Sequence, residues 1–288
     1  MIGKFKGDKM RTIISDRIAD AVSEMCIEAN CVLPDDVRRC ILSSRDAEVW
    51  PGARATLDRI VENFEIAERA VMPICQDTGV TCVFVTIGQD VHVVGDINEA
   101  INEGVRRGSK EGYLRASLVA DPLCRKNTGD NTPAMIYYDI VPGDAFKLTV
   151  APKGFGSENM SKVAMLKPSD GLDGVIDFVL HTVEEAGANP CPPIFVGVGL
   201  GGTFDKAALL AKKALMRSAD DANPDPFYAD LEASLLERIN ALGIGPQGFG
   251  GKTTALAVHV EVMPTHIAGL PVAVNLNCHV ARHVSRDV

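Results

Sequence analysis

Near the start of the chain, apolar residues recur at every fourth position: Ile14, Ile18, Val22 and Cys26. That spacing lines one face of an α-helix and predicts a helix that buries this stripe. Pro34, followed by Asp35 and Asp36, suits the first turn of a second helix. There a missing N–H costs nothing, and carboxylates meet the positive end of the dipole. PGARATLDRIVENFEIAERA (51–70) continues as a third amphipathic helix. At residue 80 the character changes, and VTCVFVTIG (80–88) is β-branched and apolar, which predicts a buried strand. A helix is expected from about Ile97 to Tyr113. AMIYYDIVPGDAFKLTVAPKG (134–154) reads as two strands around Val141-Pro142-Gly143-Asp144. Proline followed by glycine is a type II turn signature, so this stretch is expected to be a hairpin.

The remainder alternates. DGLDGVIDFVLHTVEEAGAN (170–189) is a helix closed by glycine, PIFVGVG (193–199) a strand, and TFDKAALLAKKALM (203–216) a helix. PDPFYADLEASLLERINALG (224–243) is a further helix, reached through the acidic connector at 220–226. TTALAVHVEVMPTHIAGLPVAVNLNCHVARHV (253–284) holds two strand-like runs. The fold class expected is α/β of the mixed α+β kind: a helical N-terminal layer packed on a mixed β-sheet, as one domain over residues 1–288.

Composition narrows the function. The 288 residues are 46% hydrophobic and 23% charged, enough for a large core in an ordinary globular chain. The net charge of −9, with no basic stripe, argues against a nucleic-acid partner. The opening MIGKFKGDKM is charged and lacks a following apolar segment, and no run of about eighteen apolar residues occurs. No leader and no membrane span are expected, and the expected compartment is the cytoplasm. Thiols there stay reduced, so the eight cysteines read as core fillers, metal ligands or catalytic thiols.

Two glycine patterns imitate nucleotide sites. Gly197, Gly199 and Gly202 spell G-x-G-x-x-G between a strand and a helix. The next element is another helix rather than a second strand, so a tight strand-to-helix turn or an anion at the helix N-terminus is expected instead of a dinucleotide site. GFGGKTT lacks the first glycine of a phosphate loop, since Pro246 stands there, and is rejected as one.

The cysteines sort by context. Cys26 and Cys40 fall on helical apolar faces, Cys31 lies just past the first helix, and Cys82 is inside a strand. These read as buried or incidental thiols. Cys124, after ADPL, is ambiguous. Cys75 in PICQDTG, Cys191 in NPCPP and Cys278 in NLNCH each sit in or beside a loop rich in proline, asparagine or glycine. Proline fixes the backbone and removes a donor, which presents a thiol in one direction. No pair has C-x-x-C spacing, yet ligands far apart in sequence can converge. Thiolates favour soft metals and iron–sulfur clusters, and three-cysteine cluster ligation is one arrangement open to them.

PICQDTG, PKGFGSENMSK, NPCPPIFVGVGLGGTFDKA and GIGPQGFGGKTTALAVHVEVMPTHIAGLPVAVNLNCHVARH together resemble the class I, iron-dependent fumarate hydratases and L-tartrate dehydratases. The resemblance spans nearly the whole chain and is to the separate α subunit. It implies that Cys75, Cys191 and Cys278 hold a [4Fe–4S] cluster whose fourth iron binds substrate. Gln76 and Asp77 would hydrogen-bond the substrate's hydroxyl or carboxylate, and Arg115 would bind a carboxylate. Gly154 and Gly156 would bring backbone close to the substrate, although Phe155 stands where the family often has glycine. His266 would reach the site from a partner protomer. The implied activity is a hydro-lyase reaction, water adding to fumarate to give L-malate. An L-tartrate dehydratase α subunit is the alternative, and a nucleotide-binding or scaffolding subunit a more remote one. The base would be a threonine of a separate β subunit, because this chain stops soon after Cys278. An α2β2 heterotetramer and a small dicarboxylate substrate follow from the same resemblance.

Overall fold

The computed structural model describes residues 10–288. The charged opening stretch at 1–9, on which the expectation of no leader partly rests, lies outside the described residues. The chain gathers into two compact units, each drawn from separated segments. One comprises the residues up to Val32, Ala70–Lys153 and Arg282–Val288; the other comprises Leu33–Arg69 and Gly154–Ala281.

In the first unit, β1 (Arg11–Ile14) pairs in parallel with β3 (Val91–Val94). A four-stranded sheet runs in the order β10 (Val284–Asp287), β5 (Phe146–Lys153), β2 (Val80–Gly88), β4 (Met135–Val141). Helix α1 (Ser15–Cys31) packs on α4 (Ile97–Glu111). Gly104 and Gly108, one turn apart on α4, make that contact possible. A Cβ on Gly104 would stand 2.6 Å from the Ala19 carbonyl oxygen, and one on Gly108 2.7 Å from that of Ser23. Ile18, Val22, Met25, Val83, Ile101, Phe146 and Leu148 form the core. The expected helical stripe thus holds from Ile18 onward, while Ile14 ends β1 and is 55% exposed.

The expected hairpin at 134–154 is not formed. Both strands exist, but β2 lies between them, parallel to β4 and antiparallel to β5. The Val141–Asp144 turn therefore crosses the end of β2 instead of closing a ladder. Gly88 makes the crossing possible, since a Cβ there would come within 2.1 Å of the Gly143 carbonyl oxygen. The Asp90 N–H donates to that oxygen and the Gly88 N–H to that of Ala145. A long, apolar central strand outcompetes local closure because it supplies each flanking strand with a full ladder.

In the second unit the sheet order is β6 (Lys162–Leu166), β9 (Leu270–Asn277), β7 (Ile194–Gly202), β8 (Ala255–Thr265). Helices α6 (Gly171–Ala186) and α8 (Pro226–Ala241) cover one face over Val196, Val198, Val258, Val260, Val274 and Leu276. Helix α7 (Phe204–Ala214) covers the other. Gly197 and Gly199 are part of β7 and not of a turn: a Cβ on either would meet the Ala211 or Ala207 carbonyl oxygen at 2.1 Å. These two glycines of the dinucleotide-like pattern thus let a helix lie close against the sheet. The turn itself falls to Gly201 and Gly202, both with positive φ. The second parallel strand is present as β8, reached through α7 and α8 in succession. Helices α2 (Asp35–Ala47) and α3 (Pro51–Ala70) meet at a corner where buried Glu48 accepts from the Val49, Trp50 and Lys252 N–H groups. Burial would raise this carboxyl, but those backbone donors hold it below the usual carboxylate range. The GFGGK loop therefore already binds an internal carboxylate, which accords with its rejection as a phosphate loop.

Candidate active site

Among the described residues, no helix is long and apolar enough to cross a membrane. None of the eight cysteines is in a disulfide. Cys26, Cys31 and Cys82 are buried as expected, and Cys31 closes α1 instead of following it. Burial pushes the Cys26 thiol up to about 12 and also raises Cys31 and Cys40. A thiol held protonated is a poor ligand and nucleophile. Cys124 is exposed, and its N–H donates to Asp121.

The three loop cysteines differ. In the first unit Cys75 is half-buried just before β2, and the Asp77 N–H points at its Sγ, 3.4 Å away. Asp77 Oδ1 accepts the Gly79 N–H at 3.0 Å, which shapes the turn into the strand. Thr78 Oγ1 donates to the Arg115 carbonyl at 3.1 Å, and Asn131 Nδ2 to the same oxygen at 3.0 Å. The loop carrying Gln76 and Asp77 is thereby joined to Arg115, whose side chain is exposed. Buried Arg282 closes the loop from another side, donating to the Asp77 carbonyl at 2.6 Å. Four expected features of the site, Cys75, Gln76, Asp77 and Arg115, thus share one hydrogen-bonded neighbourhood.

In the second unit Cys191 precedes β7 and Cys278 follows β9. These strands are antiparallel neighbours with Phe195 opposite Asn277, so both thiols sit at the same end of the pair. A direct bridge joins the two loops: His279 Nδ1 lies 2.9 Å from the Cys191 carbonyl. Cys191 is exposed and has φ +56°, a left-handed backbone uncommon for a side chain of this size. Gly154 and Gly156 flank Phe155 at the short helix α5 (Phe155–Glu158). A Cβ on Gly156 would contact the Asn189 carbonyl at 3.4 Å, so this turn lies beside the segment leading to Cys191. Glu158, on the same helix, is anchored by Lys212 at 2.6 Å and Asn275 at 2.8 Å.

His266 is placed differently. It sits in the turn between β8 and β9, with Nδ1 accepting the Ala268 N–H. That is the far end of β9 from Cys278, and eight strand residues put roughly 25 Å between them. Within one chain His266 and Cys278 are not brought together.

Over residues 19–287 the sequence matches the fumarate hydratase (Fumerase) family. The chain belongs to that family. Its relatives include a Methanocaldococcus jannaschii protein provisionally named L(+)-tartrate dehydratase subunit alpha. That protein is 43% identical over 279 residues, 94% of this chain and 98% of the relative. The L(+)-tartrate dehydratase subunit alpha of Escherichia coli strain UTI89 is 32% identical over 267 residues, covering 91% of this chain and 88% of its own length. The strain K12 protein is 31% identical over the same span. This chain is therefore an α-subunit member of the fumarate hydratase and tartrate dehydratase family, a family of hydro-lyases.

Among the described residues of this family member, no group of three or more His, Cys, Asp or Glu side chains could hold a single metal ion. A cube-shaped cluster asks something else, since its thiolates attach to separate irons bridged by sulfide. Within the second unit, two thiols at one sheet end suit that chemistry, and within the first the Cys75 sulfur receives an N–H, a contact of the kind that tunes cluster sulfurs. Sequence reasoning passed over Thr78, Asn131, Arg282 and His279, which hold the loops in place. Thr78, Arg282 and His279 carry a sequence signal, through their places in PICQDTG and in the NLNCHVARH stretch, whereas Asn131 carries none.

Proposed function

We propose that the chain is the α subunit of an iron–sulfur hydro-lyase that removes water from a small hydroxy-dicarboxylate, with L-tartrate as its first substrate. The observation that carries the site is the placing of Cys191 and Cys278 at one end of neighbouring strands, joined through His279. Cys75 would complete a three-thiolate set for a [4Fe–4S] cluster. In sequence, Cys278 stands four residues before Arg282, the side chain that holds the Cys75 loop at Asp77. The names of the relatives favour tartrate. The family description keeps fumarate and malate as a second reading.

When bound, such a cluster would supply a Lewis-acidic iron without a protein ligand, able to polarise a departing hydroxyl. This chain's residues do the remaining positioning. Arg115 offers a forked donor to one carboxylate, and its backbone is fixed by Thr78 and Asn131. Gln76 would hydrogen-bond the hydroxyl or the second carboxylate, and Asp77 would accept from the hydroxyl. Gly154 and Gly156 would let backbone approach where a side chain would intrude. His266, at the far end of β9 from Cys278, would serve the site of a second copy. In the dehydration, a proton leaves one carbon to a base while the hydroxyl of the adjacent carbon leaves, protonated, as water. For tartrate the resulting enol becomes the keto acid. The base would come from a β subunit, in an α2β2 assembly. An exposed iron and reduced thiols suit a cytoplasmic enzyme.

Anaerobic co-purification with a β-type partner, followed by assays on L-tartrate, L-malate and fumarate, tests the proposal. Brown protein with about four irons and four sulfides per α chain is expected, with tartrate turned over fastest. Preference for malate and fumarate would establish the second reading. Colourless protein after anaerobic reconstitution, with tight nucleotide binding, would overturn both. Serine at Cys75, Cys191 or Cys278 should abolish cluster retention, whereas Cys82→Ala should mainly disturb packing.

A further inference from the structure

The GIGPQGFGGK stretch looks like a phosphate loop in sequence yet binds an internal carboxylate, which leaves its glycines and Gln247 without a role. Gln247 has φ +55° and ψ 17°, a left-handed conformation flanked by Gly245 at φ +69° and Gly248 at φ +80°. The loop is folded tightly on itself: a Cβ on Gly245 would lie 1.9 Å from the Gly250 carbonyl oxygen. It is also pressed onto the Cys191 approach, since a Cβ on Gly248 would lie 2.4 Å from the Ala188 Cβ.

The strained residue makes two hydrogen bonds to one atom. Both the Gln247 backbone N–H, at 2.7 Å, and its Nε2, at 2.8 Å, point at the carbonyl of Pro192, the residue after Cys191. The same Nε2 rests 3.3 Å from His279 Nδ1, and that nitrogen lies 2.9 Å from the Cys191 carbonyl. A carbonyl only accepts, so in this arrangement Nδ1 carries the proton and donates it to Cys191. Gln247 and His279 thus hold consecutive carbonyls, those of Pro192 and Cys191, while His279 is the neighbour of Cys278.

We propose that Gln247 and His279 form a two-residue clamp that sets the separation and direction of the Cys191 and Cys278 thiols. They are positioning residues, touching the backbone that carries the ligands and not the substrate. The inference rests on the reading of those two cysteines as cluster ligands. It gives the glycine-rich loop a purpose: a left-handed Gln247 is what aims backbone and side chain at one oxygen, and the adjoining glycines let the chain turn around it. Groups that orient metal ligands are commonly worth 10–100-fold in affinity when removed.

The test measures cluster retention in the co-purified complex: iron and sulfide per chain, and the rate of bleaching of the visible absorbance under a ferrous chelator. His279→Ala removes the donor, while His279→Asn keeps an N–H near Nδ1. Gln247→Gly removes the side chain but keeps the left-handed backbone and its N–H. We expect His279→Ala and Gln247→Gly to bleach about 10–100 times faster than wild type, with thermal unfolding of the cluster-free proteins unchanged and His279→Asn close to wild type. Wild-type bleaching rates in both removal variants would overturn the clamp. Equal loss in His279→Asn and His279→Ala would also overturn it, by showing that the hydrogen bond is not what matters. Should His279→Ala fail to fold, Gln247→Gly decides alone. Wild-type protein that holds no iron would overturn the cluster reading itself, a result distinct from any of these.

Discussion

His259 is 3% exposed on β8, and neither ring nitrogen has a hydrogen-bond partner among the described residues. Burial, aided by the nearby Arg217 guanidinium, depresses its pKa, against the opposing pull of Glu232, Asp221 and Asp36. An imidazole whose folded pKa lies below the unfolded value of about 6.5 is kept neutral in the native state. Its linkage term is therefore favourable above that value and is lost as the pH falls through the folded pKa, because the unfolded chain takes up the proton first. Within that window the slope approaches about 1.4 kcal/mol per pH unit for this one group. His259→Leu should consequently lose less stability than wild type between pH 7.5 and 5.5 in urea unfolding. Parallel pH dependences for the two proteins would show that His259 does not titrate in this range. At the same scale, the three loop cysteines were legible as a class apart from the sequence, because proline and asparagine neighbours are a local property. The hydrogen bonds that aim them were not, since Thr78 finds Arg115, and Gln247 finds Pro192, only after distant segments meet.

Among the elements, close approach between helix and sheet is decided by residues that have no side chain. Gly199 lies under α7 with the Ala207 carbonyl where its Cβ would be. Gly199→Ala should force the helix outward and cost about 1–3 kcal/mol, lowering the unfolding temperature while leaving the oligomeric state intact. An unchanged temperature would mean that α7 is not seated as described. Helix positions were well announced by the sequence: α1 to α4 and α6 to α8 fall where periodicity, Pro34 and the terminal glycines set them. Strand existence was also legible at β2, β7, β8 and β9, but pairing was not. The Pro-Gly turn after β4 signalled a reversal and delivered one, yet the reversal spans β2 because Gly88 leaves room for it. The short strands β1, β3, β6 and β10 had no pattern strong enough to announce them, because an edge or a two-stranded pairing needs few apolar residues.

Across the whole molecule, the chain passes between its two compact units four times, so neither is a continuous piece. The proposed ligands follow this division, with Cys75 in one unit and Cys191 and Cys278 in the other. The relatives are named as α subunits, and His266 stands at the far end of β9 from Cys278 of its own chain, so a catalytic unit larger than one chain is the natural expectation. The isolated chain, purified without oxygen, should hold iron yet show no measurable dehydration of L-tartrate until a β-type partner is added. Turnover by the isolated chain would remove the need for a partner and place the base among its own residues.

By itself the sequence determined the helices and the long strands, and it set Cys75, Cys191 and Cys278, in loops, apart from the thiols of helices and strands. All of these depend on residues close together along the chain. The tertiary structure decided which strand lies between which, why the paired glycines of β7 are there, and that two thiols 87 positions apart share one end of a sheet. Such facts depend on contacts closed over long stretches of chain, where the free energy of many side chains together, and no local preference, selects the neighbour.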